Sequence, residues 1–412
     1  MSNYQNSYRE VPNNLSLPDL LSGISVALLL VPQSMAYAEL AGLPPYIGLF
    51  ASALPPIFAA FAASSPYLQT GPVALTSLLT LGALNGLAEL GSNTYMALAA
   101  LLAVIVGVAR ILFGLFRMGK LVYLMDDPVL TGFTSAAAIL IITSQLPKAF
   151  GIEKSEGNIL RQAWEVFNKF DKWEMQSIIL TISTIFLVLI GKNIHRLFPG
   201  ALLVLVGSIA YSNLSDYSGP VVGKVPTGIP EFTFDFPWNS TGQLLLPGLV
   251  IALVGFAEPA SISRIFAAEE NHSWNANREF LSQGLANLAA GFSGAFPVGG
   301  SFSRSSLNKL SGAQSRWSGL ITGAVVFAFL PLGNVLNNLP RATLAGVVIA
   351  AVIGLLQPKK LLDLFKTSTM KGLVALGTFV STILFSPHIE RGVLIGIVLS
   401  LTLRCWNKLK TI

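Results

Sequence analysis

Residues Phe296–Asn308 read FPVGGSFSRSSLN, and how this stretch is read decides the fold. Pro297 and the pair Gly299–Gly300 interrupt an otherwise apolar landscape, and Ser301, Phe302, Ser303 and Arg304 open a short helical run. A helix that begins at a chain break exposes N–H groups without intrahelical partners. Beside hydroxyls and a guanidinium, those groups make an anion site. An isolated arginine among serines would otherwise read as a solvated loop. Here it stands between two apolar spans, on a helix too short to cross a bilayer, and an intramembrane arginine is a functional residue by default.

The rest of the chain puts that stretch inside a membrane. Hydrophobic residues make up 52% of the sequence and charged residues 11%, with a mean hydropathy of +0.64. A soluble domain carries roughly a quarter charged residues. Windows of about 20 apolar residues recur, each long enough to span a bilayer. The class is therefore an all-α polytopic membrane protein. Met1–Ser16 is polar, so no cleavable signal peptide is expected. The net charge of +6 is spread over loops with no dense basic run, which argues against a nucleic-acid partner. Cys405 is the single cysteine, which excludes an internal disulfide and a cysteine-based metal cluster. His195, His272 and His388 fall at loop edges and read as solvated, so neither metal nor cofactor is expected. An HExxH motif and a nucleophile–base set are both absent, and the chain does not read as an enzyme.

In chain order, Asn13–Asp19 reads as an interfacial lead-in and Leu20–Leu43 as the first span. It carries Gln33 and Tyr37 four residues apart, on one helical face. They serve either a helix–helix hydrogen bond or a pocket wall. Residues 46–63 form a second span, and a short helix begins near Gly71–Val73 in TGPVALTSLLTLGAL. Spans follow over about 97–116 and 126–145, and the polar excursion 148–176 is expected to hold an amphipathic surface helix. Spans over 177–190 and 199–211 precede a proline-rich loop, 212–241, expected to pair as short extended segments. The second half runs through 244–268, with Glu258, then 277–296, the short helix 301–310, 317–332 and 343–356. An amphipathic 358–366 and the spans 371–385 and 392–406 complete about fourteen membrane segments. Lysine and arginine gather in alternate loops, among them Arg117, Lys120, Lys192, Arg196, Lys359 and Lys360, which puts both termini in the cytoplasm. The opposite short loops hold little beyond Arg341 and Arg391.

The short helices fall at the third position of one half and the tenth of the whole. A matched pair of interrupted segments points to a transporter site built by an inverted repeat of seven plus seven. Their N-termini then meet near the midplane, each offering roughly half a positive charge. Glu258 lies mid-span, where a carboxylate must be neutral, paired or wet. It reads as a proton-coupling group, or as a fixed partner of Arg304 or a backbone N–H.

VPQSMAYAELAGLPPYIGLF, TGPVALTSLL, GFAEPASISRIFA, NREFLSQGLANLAAGFSGAFPVGGSFSRSSLN and LPRATLAGVVIAAVIGLL together resemble the sulfate permease (SulP) family of anion transporters, over essentially the whole chain. The resemblance implies a fold of fourteen segments in two inverted sevens. Its core (transport) domain would comprise residues 14–124 and 244–332, and its gate (scaffold) domain 125–243 and 333–406. It implies homodimers in the plasma or inner membrane that move the core against the gate like an elevator. The family's substrate positions map onto Gln33, Tyr37, the backbone at Val73 and Ala74, and Ser301, Phe302, Ser303 and Arg304, with Glu258 as the acidic position. Members with this glutamate and a Ser–Arg pair resemble proton-coupled sulfate transporters. Ile262, four residues after Glu258, supplies no oxygen for sodium, although Ser261 is near. Many members carry a cytoplasmic STAS domain after the last span, and this sequence contains none.

The expectation is proton-coupled symport of sulfate or a similar oxyanion. Arg304 and the helix ends would hold it, Ser301 and Ser303 would donate hydrogen bonds, and Phe302 would shape the pocket. A bicarbonate or dicarboxylate carrier and a passive anion channel are the alternatives.

Overall fold

A computed structural model describes Pro12 and residues 14–152, 159–194 and 198–410; Asn13, His195 and Arg196 lie outside the described residues. The first helix, α1 (Leu17–Leu40), starts where Ser16 and Asp19 cap each other: the Ser16 Oγ accepts from the Asp19 N–H and the Asp19 carboxylate from the Ser16 N–H. There follow α2 (Pro45–Ala62), α3 (Ala74–Leu84), α4 (Asn93–Leu115), α5 (Asp127–Ala149), α6 (Ile159–Asn168), α7 (Met175–Ile194) and α8 (Gly200–Leu214). The second half holds α9 (Thr241–Glu269), α10 (Ala276–Phe292), α11 (Phe302–Leu310), α12 (Trp317–Phe329), α13 (Arg341–Val352), α14 (Pro358–Thr367), α15 (Thr369–Leu384) and α16 (Ile389–Lys410). Two-residue strands, β1 (Thr70–Gly71) and β2 (Gly299–Gly300), precede α3 and α11.

Helices α6 and α14 are amphipathic, and each follows the fifth membrane segment of its half. On α6 the buried residues Ile159, Gln162, Ala163 and Val166 fall on one face at helical spacing. Setting these two aside leaves fourteen membrane segments among the described residues, seven in each half. Among the described residues, seven helical stretches are long and apolar enough to cross a membrane by length and composition alone. The remainder are shorter or, like α10, carry buried polar groups such as Ser282, Gln283 and Asn287.

The packing carries the inverted repeat directly. Helix α2 packs on α12 as α10 packs on α4, and α1 on α12 as α9 on α4. Helix α3 lies against α9 as α11 lies against α1, and α5 against α15 as α13 against α7. Every pair maps onto the other when the segments are shifted by seven. Opposed insertion of the halves appears at the centre, where β1 and β2 pair antiparallel, Thr70 opposite Gly300 and Gly71 opposite Gly299. With 1.5 Å per residue, α3 is about 17 Å long and α11 about 14 Å, half of a hydrocarbon core of about 30 Å.

Three expectations need correction. Helix α10 stops at Phe292 rather than Phe296, because Gly294 takes a left-handed φ of 68° and Ala295 N bonds back to Ala290 O. Residues 295–298 then return to the centre without helical structure. The 212–241 loop does not pair with itself. Its prolines lack the N–H a ladder needs, and it bridges instead at Val221 to Pro340, with Val222 N donating to Leu339 O. His272 is buried in the α9–α10 turn, edge-on to the Tyr67 ring at 6.3 Å, rather than solvated.

Helices α1 and α2 touch backbone to backbone where Gly48 faces the Ser34 carbonyl, one residue beyond Gln33; a side chain there would overlap Ser34 O. Gly48→Val should therefore lower stability by about 1–3 kcal/mol, read as a lower thermal midpoint in detergent. Gly207→Ala, where nothing lies within 4 Å, should leave that midpoint in place.

Candidate anion-binding site

The two chain breaks are held open by polar side chains packed between the halves. Gln69 N donates to Ser305 Oγ at 2.9 Å, and Ser301 N to Gln69 O at 3.1 Å, extending the two-residue ladder. Thr70 Oγ1 accepts from Gln283 Nε2 at 2.7 Å. Gly71 sits at φ 153°, a region that favours glycine. At Gly300 a Cβ would lie 2.7 Å from the tip of the Leu68 side chain and 3.1 Å from the Pro259 ring, so a larger residue would have to push both aside.

Two buried carboxylates fix the turns beside the half-helices. Asp19 accepts from Gln314 N and Ser315 N, both at 2.8 Å, which ties the α11–α12 turn to the start of α1. Glu279 accepts from Ser64 N at 3.2 Å and Ser65 N at 2.9 Å, which ties the chain leading into β1 to the start of α10. Carboxylates bonded to several N–H groups satisfy donors that hydrocarbon cannot.

Neither half-helix has a side-chain cap at its N-terminus. Helix α3 starts at Val73–Ala74, both buried, and α11 starts at Ser301–Phe302. At α11 the Phe302 N–H points to Glu258 Oε1 at 3.4 Å. No ion pair joins Glu258 to Arg304 among the described residues, so of its two structural roles the backbone one is seen.

Arg304 is 0% exposed. Its Nη1 reaches Gln33 Oε1 at 3.4 Å, while Nε and Nη2 have no hydrogen-bond partner. Nη2 lies 3.5 Å from where a Cβ on Gly71 would stand, so the guanidinium spans from α1 to the start of the α3 break. A buried cation with unused donors is costly, and an anion between the two helix ends would satisfy it.

A cavity of about 410 Å³ reaches this point. Gln33, Phe302, Ser303 and Ser306 line it from α1 and α11, while α7, α8 and α13 close its far wall. Phe302 is 51% exposed into it and stacks at 6.3 Å on Phe266. The cavity runs along α1 from Gln33 to Ser25 and along α11 to Leu310, toward the face holding the start of α1. Ser301 Oγ and Ser303 Oγ lie 3.3 Å apart. Gln33, Phe302 and Ser303 thus form the wall, whereas Tyr37, Val73, Ala74, Glu258, Ser301 and Arg304 are not among its lining residues. Arg304 lies one layer behind the wall.

Sequence reasoning missed Arg110. It is fully buried in α4 and donates to three carbonyls, Val298 O at 2.9 Å and Ile251 O and Ala252 O at 3.2 Å. Asn287 clasps the same residue from α10, its Oδ1 accepting from Val298 N at 3.0 Å and its Nδ2 donating to Val298 O at 3.1 Å. The two residues fix the strand that delivers Ser301–Arg304. The rule that singles out an intramembrane arginine at 304 applies equally at 110.

A family model described as the sulfate permease family matches residues 17–378. The chain is 36% identical over 395 residues to the chloroplastic sulfate transporter 4.1 of Arabidopsis thaliana, covering 93% of this chain and 57% of that protein. It is 30% identical over 401 residues to a probable sulfate transporter of Mycobacterium tuberculosis, covering 96% and 71%. To solute carrier family 26 member 6 of Homo sapiens it is 30% identical over 417 residues, covering 94% and 54%. The chain therefore spans little more than half the length of the plant and human relatives. Among solved structures, the murine solute carrier 26 family member A9 anion transporter in its inward-facing state superposes with a TM-score of 0.86 at 23% identity, over 97% of this chain and 70% of that one. The transmembrane domain of the cyanobacterial bicarbonate transporter BicA superposes with a TM-score of 0.80 at 21% identity, over 95% and 99%. Both share the fold.

Arg304→Ala should weaken the binding of a small oxyanion by about ten- to a hundredfold, the worth of a charged hydrogen bond. Titration calorimetry in detergent should read this loss with unfolding undisturbed. Asn287→Ala leaves the Val298 N–H unpaired and should cost about 1–3 kcal/mol of stability, measured by thermal unfolding of the same preparation.

Proposed function

Since the chain belongs to the sulfate permease family, we propose that it is a secondary active transporter of a small oxyanion, sulfate first, taken up together with a proton. The observation that carries this reading is Arg304: a fully buried guanidinium with Nε and Nη2 unused, beside two half-helix starts whose N-cap residues supply no side-chain cap. An oxyanion at that place would accept from Arg304, from the Ser301 and Ser303 hydroxyls and from the first N–H groups of α3 and α11. It would meet two positive helix ends at once. Gln33 and Tyr37 would orient it from α1, and Phe302 would close the pocket on the cavity side.

Glu258 supplies the coupling. Its carboxylate already faces the Phe302 N–H at the start of α11. Ionised, it competes with the substrate for that helix end and repels it; protonated, it gives up both effects. Anion binding and protonation of Glu258 thereby favour one another, and by linkage the preference is reciprocal. A proton and an anion cross together.

Movement follows the division into a core of residues 14–124 and 244–332 and a gate of residues 125–243 and 333–406. Helices α1, α2, α4, α9, α10 and α12 pack tightly on one another, and α5, α7, α13, α15 and α16 do the same. The cavity runs along the seam between α1 and α11 on one side and α7, α8 and α13 on the other. Sliding the core along this seam would carry the site from one face to the other. With both termini cytoplasmic, as the charge bias of the loops argues, the cavity opens inward, and the membrane is the cell or inner membrane.

The test is uptake of radiolabelled sulfate into proteoliposomes under imposed proton or sodium gradients. An acidic exterior should drive saturable accumulation, and a sodium gradient should not. Glu258→Gln should abolish the dependence on external pH. Proton-driven accumulation that persists in Glu258→Gln would put the coupling elsewhere. Bicarbonate or a dicarboxylate outcompeting sulfate would change the substrate, and unsaturable, proton-independent currents would make the protein a channel.

A further inference from the structure

At the opposite end of α1 from the cavity mouth lies a second polar cavity of about 500 Å³. The end of α1, the end of α5 and the start of α13 meet in it, with Lys224 on its wall. Its charges are unequal: Lys148, Lys224 and Arg341 against the single carboxylate of Glu39. One oxygen, Oε2, accepts from Lys148 Nζ at 2.9 Å. Arg341 Nε, whose N–H donates to Val221 O at 3.1 Å, lies 3.4 Å from Oε1 and acts on it through charge alone.

The burial of the partners differs. The Glu39 side chain is 5% exposed, while those of Lys148 and Arg341 are 19% and 42% exposed. A buried carboxylate depends on its cations, whereas two partly wet cations stay hydrated without it. The arrangement is also a binding geometry in its own right. A carboxylate held between an ammonium and a guanidinium stands chemically where a sulfate-like oxyanion would stand. Glu39 lies on the same helix as Gln33, six residues or about 9 Å further on. Its two cations sit on helices of the gate. A shift of α1 that carries the inner site therefore carries the carboxylate away from Lys148 and Arg341.

We propose that Lys148 and Arg341 form a capture site for the transported oxyanion at the outer mouth, and that Glu39 is a tethered anion that fills it while the inner cavity is open. The proposal rests on the transport reading given above and on its division into core and gate. As the core slides, Glu39 withdraws, and the bare cations draw an anion from outside toward Arg304. When the core returns, the carboxylate displaces any anion left behind and closes the mouth. The surplus of two positive charges in the vestibule keeps the site attractive to anions in either state.

Gln145 lines the same cavity and is buried. A cysteine there, in a Cys405→Ser background, reports whether the mouth is open to a membrane-impermeant maleimide added outside proteoliposomes. Glu39→Gln should speed this labelling by about tenfold. Lys148→Gln, which breaks the latch from the other side, should speed it too. Millimolar external sulfate should slow labelling in Glu39→Gln and fail to slow it in the Glu39→Gln, Lys148→Gln double variant. Unchanged labelling in both single variants, each eluting as a monodisperse folded protein, overturns the latch. Faster labelling that sulfate does not slow overturns the capture site. Labelling reports the latch and the binding of sulfate whether or not sulfate crosses. If the variants give the expected labelling pattern while the wild-type protein accumulates no anion, the transport reading is overturned and the latch with its anion site remains.

Discussion

Two residue pairs of antiparallel ladder, Thr70–Gly71 against Gly299–Gly300, let the chain stop being helical in the middle of a hydrocarbon layer. Every backbone donor and acceptor there must find a partner inside the protein, because lipid supplies none. Each broken segment answers the other's exposed groups, and neither could exist alone. Once the pair is made, two helix starts are left without a cap from their own N-cap side chains, and the first N–H of α11 turns to the Glu258 carboxylate. An electropositive centre is thus a by-product of solving the backbone problem, and the chemistry of the site is built on it.

The repeat is symmetric in packing and asymmetric in charge. Arg304 is the third residue of α11; the third residue of α3 is Thr76, whose hydroxyl bonds back to Val73 O at 3.2 Å. One half supplies the guanidinium and the other only dipole and backbone. The supporting carboxylates do not follow the repeat either, since a shift of seven segments carries the start of α1 to α9 and not to α10. Asp19 at the start of α1 holds the turn after α11, and Glu279 at the start of α10 holds the turn before β1. Both are acids placed where backbone N–H groups gather, and both cross between the halves.

Arg110 has a different position from Arg304 although both are wholly buried. Three carbonyls surround Arg110 and use its donors on the protein itself. Arg304 meets one glutamine oxygen and keeps two nitrogens idle. Burial alone does not separate an arginine whose donors the protein satisfies from one whose donors it leaves open. The balance of donors and acceptors around each does.

Much of this was legible in the chain. Apolar windows of bilayer length, matched short segments at Gly71 and Gly300, and loop charges determine a polytopic helical protein with an inverted repeat, because hydrocarbon thickness and backbone satisfaction admit few other solutions. FPVGGSFSRSSLN marks the central break, since Pro297 and the Gly299–Gly300 pair interrupt an apolar stretch just before hydroxyls and an arginine. What the sequence does not contain is which donors remain unsatisfied. Whether Arg304 stands beside Glu258 or apart from it, that Arg110 is consumed by carbonyls from two other segments, and that Glu39 meets cations 109 residues away at Lys148 are facts about contacts between distant segments. Only the tertiary structure decides those, because hydrogen-bond balance belongs to the packed arrangement and not to any stretch of chain.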